Sequence, residues 1–136
     1  MFGKEGCADA ASFELPRRVQ SLIYAQVLRR LMPDLHVIGA VYLSTRENAR
    51  HQHALAGVVE GAAATKVLSP EDASEPRLAR FEAGHGNIGL DEVLDLTEER
   101  IASALGRLRE GRIEADPKDA RACSYCPVHL CERRLS

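Results

Sequence analysis

The stretch PRRVQSLIYAQVLRRLMPDLHVIGAVYLS, residues 16–44, decides the fold, because it sets a helical repeat directly against an extended one. Pro16 suits the first turn of a helix, where its missing N–H costs nothing. Arg17 to Met32 spans the helix, and Pro33 with Asp34 ends it. At 100° per residue Val19, Ile23, Val27, Leu28 and Leu31 sweep an arc of about 180°, which predicts the buried face. Arg18, Ser21 and Arg29 lie outside that arc. Gln20 and Tyr24 lie inside it, one turn apart and one above the other. Leu35 to Ser44 (LHVIGAVYLS) is apolar on both alternating faces and rich in β-branched residues, the pattern of an interior strand covered on two sides. A helix followed by such a strand specifies the α/β class.

Outward from this stretch the chain alternates further. Thr45 to Gln52 is a polar turn, and Ala54 to Glu60 (ALAGVVE) reads as a second strand, paired antiparallel with the first. Gly61 to Lys66 is a short helix or part of a loop. From Ser69 to Gly89 the composition shifts to Pro, Glu, Asp, Ser and Gly, which predicts a long surface excursion. Asn87 is the expected N-cap of a second long helix, roughly residues 88–110, with Leu90, Val93, Leu94, Ile101, Ala104, Leu105 and Leu108 on one stripe. Gly111 suits the C′ position that follows it. Residues 1–15 form an irregular lead-in, residues 16–112 the α/β core, and residues 113–136 a polar linker and a cysteine cluster. This organisation describes one domain, or a piece of a larger one.

Composition narrows the functional classes. With 136 residues there is room for one core of ordinary size, and 19 alanines keep it thin although 45% of the chain is hydrophobic. A net charge of -2 excludes a polycation that holds nucleic acid by bulk charge. Trp is absent and Tyr and Phe number three each, which disfavours an aromatic base-stacking platform. No apolar run approaches the roughly 20 residues of a membrane span. The start MFGKEGCADAAS has no apolar signal core, so a cytoplasmic location is expected. Four cysteines in such a chain point to metal or redox chemistry before disulfides.

Three features could carry chemistry. The tail ACSYCPVHLCERR places Cys123, Cys126 and Cys131 in a C-x2-C-x4-C pattern, with His129 between the last two. Thiolates so spaced can converge on one metal, and a fourth ligand could be His129, Cys7 or a group outside the chain. The Gln20–Tyr24 pair reads in two ways: as hydrogen-bonding groups aimed between helix and sheet, or as an amphipathic Tyr at the core edge beside a snorkelling Gln. Arg17, Arg18, Arg29 and Arg30 bracket the same helix, either as phosphate contacts or as an ordinary solvated face. His51 and His53 in RHQH read as loop residues, as does GHGNIG, which follows no predicted strand. Phosphate-loop, serine-elbow and zinc-protease motifs do not occur.

Taken together, the Q-x-x-x-Y helix, the strand that follows it and the closing cysteines resemble the C-terminal portion of RecB-like PD-(D/E)XK nucleases. The likeness is to the nuclease domain of AddB-type proteins, which belong to the ATP-dependent helicase/nucleases of bacterial double-strand-break repair, and it covers about residues 13–134. It implies a truncated restriction-endonuclease-like α/β core with two long helices, a strand pair and a Cys-rich C-terminal tail. It further implies that Gln20 and Tyr24 support a Mg2+-dependent catalytic site on DNA, with Arg17 and Arg18 near the phosphates. Cys123, Cys126 and Cys131 would belong to a [4Fe-4S] cluster. The implied partners are DNA, an upstream part of the same protein and a helicase/nuclease partner.

The departures are specific. The family holds its metal with carboxylates and a Lys on a D-x-K or E-x-K strand ahead of the Q-x-x-x-Y helix, and no such strand is readable here. Its first cluster cysteine also lies far upstream, and Cys7 does not take its place. The expectation is therefore a fragment that is inactive alone, with an incomplete cluster and an exposed sheet edge open to self-association. The competing expectations are a small zinc-binding interaction module and a plain α/β scaffold.

Overall fold

The computed structural model describes residues 13, 15, 19–43, 55–114, 121–124, 126–128 and 131. The chain divides into two compact units, Met1–Ile101 and Ala102–Ser136. The first contains α1 (Gln20–Leu31), β1 (Gly39–Leu43), β2 (Leu55–Glu60), α2 (Gly61–Val67), α3 (Pro70–Ala73), β3 (Leu78–Phe81) and the opening turns of α4 (Leu90–Arg109). The second holds the last turns of α4 and a four-residue α5 (Arg121–Ser124).

The described strands form one sheet in the order β1-β2-β3. β1 and β2 run antiparallel, with Gly39 opposite Val59 and Leu43 opposite Leu55, as the strand-pair reading expects. β2 and β3 run parallel, with Gly57 opposite Leu78 and Glu60 opposite Phe81. The alternation of side chains sorts the core into two layers. Val58, Ala79 and Phe81 face Leu22 and Ala25 of α1 and Leu90, Val93 and Leu94 of α4. Val59 and Leu78 face Ala64 of α2, with Leu68 packed beside them. Helices thus cover both faces of a mixed sheet. Leu22, Val93 and Leu94 are fully enclosed, and each such side chain contributes about 1.5–3 kcal/mol relative to exposure.

Four expectations are corrected by the structure. β1 is an edge strand among the described residues, with Val41 and Leu43 exposed, while β2 takes the interior position expected of β1. The interior pattern was shared by both strands, and periodicity alone does not rank them. The excursion at Ser69–Gly89 is not without regular structure. It contains α3, whose N-cap Ser69 accepts from the Asp72 N–H at 3.1 Å, and β3, which buries Leu78 and Phe81. β3 is four residues long, and its stability comes from pairing with β2, which no local composition reports.

The third correction concerns α1. Its buried residues are Ser21, Leu22, Ala25 and Gln26, whereas Ile23, Val27, Leu28 and Leu31 of the predicted face are exposed. Polar attachment explains the rotation. Arg29 bridges Asp91 and Asp95 on α4, at 3.1 Å to the former, and Arg30 pairs with Glu98 at 2.5 Å. Gln26 donates to the same Glu98 carboxylate at 2.5 Å. Small Ser21 and Ala25 let the helix approach closely, so the charged ladder rather than the aliphatic stripe chooses the docked side.

The helix ends follow local chemistry. No side chain caps α1 at Val19; instead the Tyr42 hydroxyl of β1 accepts the free N–H of Ser21 at 2.9 Å. α4 begins at Leu90, not at Ile88, and Glu92 reaches back to accept the Gly89 N–H at 2.7 Å. Asn87 closes a tight turn with Gly84 instead, through His85 and Gly86 at φ 51° and 86°. At the far end Gly111 takes φ 76°, and the N–H groups of Gly111 and Arg112 return to the carbonyls of Leu108 and Arg107. This is the expected glycine-terminated stop. In β2, Gly57 has φ 151°, and a Cβ there would overlap the Ala40 carbonyl oxygen, so only glycine lets β1 and β2 pair at that register.

Two stability outcomes follow. Tyr42→Phe removes the acceptor for Ser21 and lowers the unfolding free energy by about 1 kcal/mol, read by urea denaturation. Arg29→Met keeps the apolar stem but loses both carboxylate partners, at a cost of about 1 kcal/mol that shrinks at roughly molar salt; a loss independent of salt would contradict an electrostatic ladder.

Candidate functional site

Rotating the aliphatic stripe outward also carries Gln20 and Tyr24 outward. Both are exposed, Tyr24 to 62%, and the Gln20 Nε2 donates to the Tyr24 hydroxyl at 2.6 Å. The pair is thus neither a core-edge Tyr nor a group aimed between helix and sheet. It is a preassembled hydrogen-bonding unit on the open face of α1. The Tyr24 hydroxyl accepts from Gln20 and keeps its O–H free to donate, while the Gln20 Oε1 stays free to accept. Such a pair can bind and orient a phosphate oxygen or a sugar hydroxyl, but it supplies no charge.

The elements beneath hold this unit from two sides. Tyr42 pins the first turn of α1, one residue beyond Gln20, to β1. The ladder to α4 pins its last turns. Burial works against the charge on Arg29, yet hydrogen bonds to Asp95 and Asp91 and the field of both carboxylates outweigh it and raise its pKa. Arg29 and Arg30, readable from sequence as phosphate contacts, are instead engaged with Asp91, Asp95 and Glu98.

Sequence reasoning did not identify Tyr42 or the acidic ladder as structural partners. A signal for the ladder existed in Asp91, Asp95 and Glu98, which recur at helical spacing. Arg17 and Arg18, expected near DNA, lie outside the described residues, as do Cys7, His129, His51 and His53.

In the second unit Cys123, Cys126 and Cys131 are half-buried and form no disulfide among the described residues. The Cys126 N–H approaches the Cys123 carbonyl at 3.4 Å, so the C-x2-C segment does form a short turn. Among the described residues, no three His, Cys, Asp or Glu side chains are grouped to hold a metal ion. Of the described carboxylates, Asp91, Asp95 and Glu98 face α1, and Glu60 pairs with His36 at 2.7 Å.

Among the described residues, no helix is long and apolar enough to cross a membrane. Comparison with curated proteins yields no significant match, and neither does comparison with solved structures. The sequence profile of the PD-(D/E)XK nuclease superfamily matches residues 4–131, nearly the whole chain. The mixed sheet flanked by helices on both faces agrees with the core fold that this match implies. The chain belongs to the PD-(D/E)XK nuclease superfamily.

Proposed function

We propose that this chain serves DNA hydrolysis of the RecB-like kind, as in the AddB-type helicase/nuclease proteins of double-strand-break repair, and that its own part is to bind and orient the DNA. The observation that carries this reading is the exposed Gln20–Tyr24 hydrogen bond on α1, in a chain of nuclease ancestry. Tyr24 is exposed and its hydroxyl is held by Gln20 one turn away, so both polar groups are presented together on the open face of α1. Gln20 and Tyr24 engage the sugar–phosphate backbone, and Arg17 and Arg18, just ahead of Gln20 in sequence, add positive charge. Mg2+, an iron–sulfur cluster and a helicase are the cofactors and partner of this reading, with further carboxylates needed for hydrolysis.

The test uses the purified chain with linear duplex DNA and Mg2+. The expected result is retention of DNA that weakens in the Gln20→Ala, Tyr24→Ala double variant and falls steeply with salt, without cleavage. Chelator-sensitive cleavage that co-purifies with the chain and disappears in the same variant would overturn the assignment of a binding role alone. Retention unchanged in the variant would overturn the site.

Metal analysis of protein purified without oxygen tests the cysteines. Fewer than the roughly four irons per chain of a cubane cluster are expected, because cubane clusters take four thiolates. Stoichiometric zinc without iron would instead favour a zinc-binding interaction module.

A further inference from the structure

We propose that the cleft at the carboxyl ends of β2 and β3 is a nucleotide subsite, on the opposite face of the sheet from α1. A cavity of about 580 Å³ opens there, lined by Gly61, Leu68, Pro70, Ala73, Arg80 and Glu82 among others. Its volume falls in the range of pockets that hold small organic ligands, roughly 300–1,000 Å³. Its place also fits: in α/β sheets ligands gather beyond the carboxyl ends of the strands, where helical crossovers leave a crevice. Here β2 runs through Glu60 into α2, the chain returns by α3, and parallel β3 ends beside it at Phe81.

The charges in the cleft are what select a ligand. Arg80 is half-buried and Glu82 is exposed, and neither forms an ion pair or hydrogen bond with another described side chain. Close by, the Arg77 guanidinium is already taken up by Glu75 at 3.1 Å. Arg80 lies on β3 and Glu82 one residue past its end, and both line the cleft. A cation and an anion so placed without mutual contact suit a ligand that carries an anion at one end and hydrogen-bond donors at the other.

Gly61 supports the arrangement, because a Cβ there would overlap the Glu82 carboxylate. A side chain there would make that carboxylate shift. Leu68, Pro70 and Ala73 give an apolar wall for a flat ring. A nucleoside monophosphate meets these demands, with its phosphate on Arg80 and the donor edge of guanine on Glu82. The choice of a nucleotide over other anions with a donor edge rests on the nuclease reading; the cleft and its unpaired charges do not.

The experiment is an amide-resolved NMR titration of the full chain with 2′-deoxyguanosine 5′-monophosphate, thymidine 5′-monophosphate and inorganic phosphate in parallel. The expected result is saturable shifts confined to residues 60–83 with the guanine nucleotide, at a dissociation constant on the order of 1 mM or below. Arg80→Gln weakens both nucleotides about tenfold or more, whereas Glu82→Gln weakens the guanine nucleotide alone. Spectra of the variants report their folding directly, and the unsubstituted chain decides the matter if either variant unfolds. Absence of saturable shifts overturns the subsite. Equal affinity for inorganic phosphate overturns the nucleotide assignment. DNA retention through Gln20 and Tyr24 is measured separately, so loss of that reading with nucleotide binding intact is distinguishable from failure here.

Discussion

The bridge of Arg29 to Asp91 and Asp95 fixes how this molecule is assembled. An amphipathic helix left to its aliphatic stripe would bury Ile23, Val27 and Leu31. In this protein the last turns of α1 are fastened to α4 by three carboxylates, and Gln26 adds a hydrogen bond from a buried position. Individually such contacts are modest. Acting on one helix from one side, they set its rotation about its own axis. Everything exposed on α1 follows from that rotation, including the Gln20–Tyr24 pair and the open aliphatic strip below it.

The opposite end of α1 is set by a different device. Its first turn has no capping side chain of its own, and the Tyr42 hydroxyl of β1 fills that role. A residue on the sheet thereby fixes the position of the functional helix to within a hydrogen bond. Charge at one end and a borrowed cap at the other hold Gln20 and Tyr24 in a defined orientation although neither is buried. In the proposed binding role such a mount helps, because positions set in advance need not be ordered on binding.

Much of the architecture could be read from residues 16–60 and 88–111. Helix α1, the antiparallel strand pair and the glycine stop of α4 rest on local signals: Pro33, alternating apolar residues and Gly111. What could not be read rests on distant partners. β3 is four residues in a charged, proline-containing stretch and exists because β2 lies beside it. The rank of β1 and β2 within the sheet depends on what pairs outside them. The turned face of α1 depends on acids more than sixty residues away, at Asp91, Asp95 and Glu98. Gln20 and Tyr24 could be picked out by spacing and resemblance, yet spacing alone put them on the wrong side of the helix.

Superfamily membership speaks for the fold, and chemistry has to be found in the site. Here the described acids closest to the functional helix are spoken for by structure. Asp91, Asp95 and Glu98 bind α1, and Glu92 closes the start of α4. Moving a ladder carboxylate to a metal would take from α1 one of its links to α4. The proposed reading therefore divides the tasks: a neutral pair on a mounted helix orients DNA, and the charge needed for hydrolysis comes from groups outside the ladder.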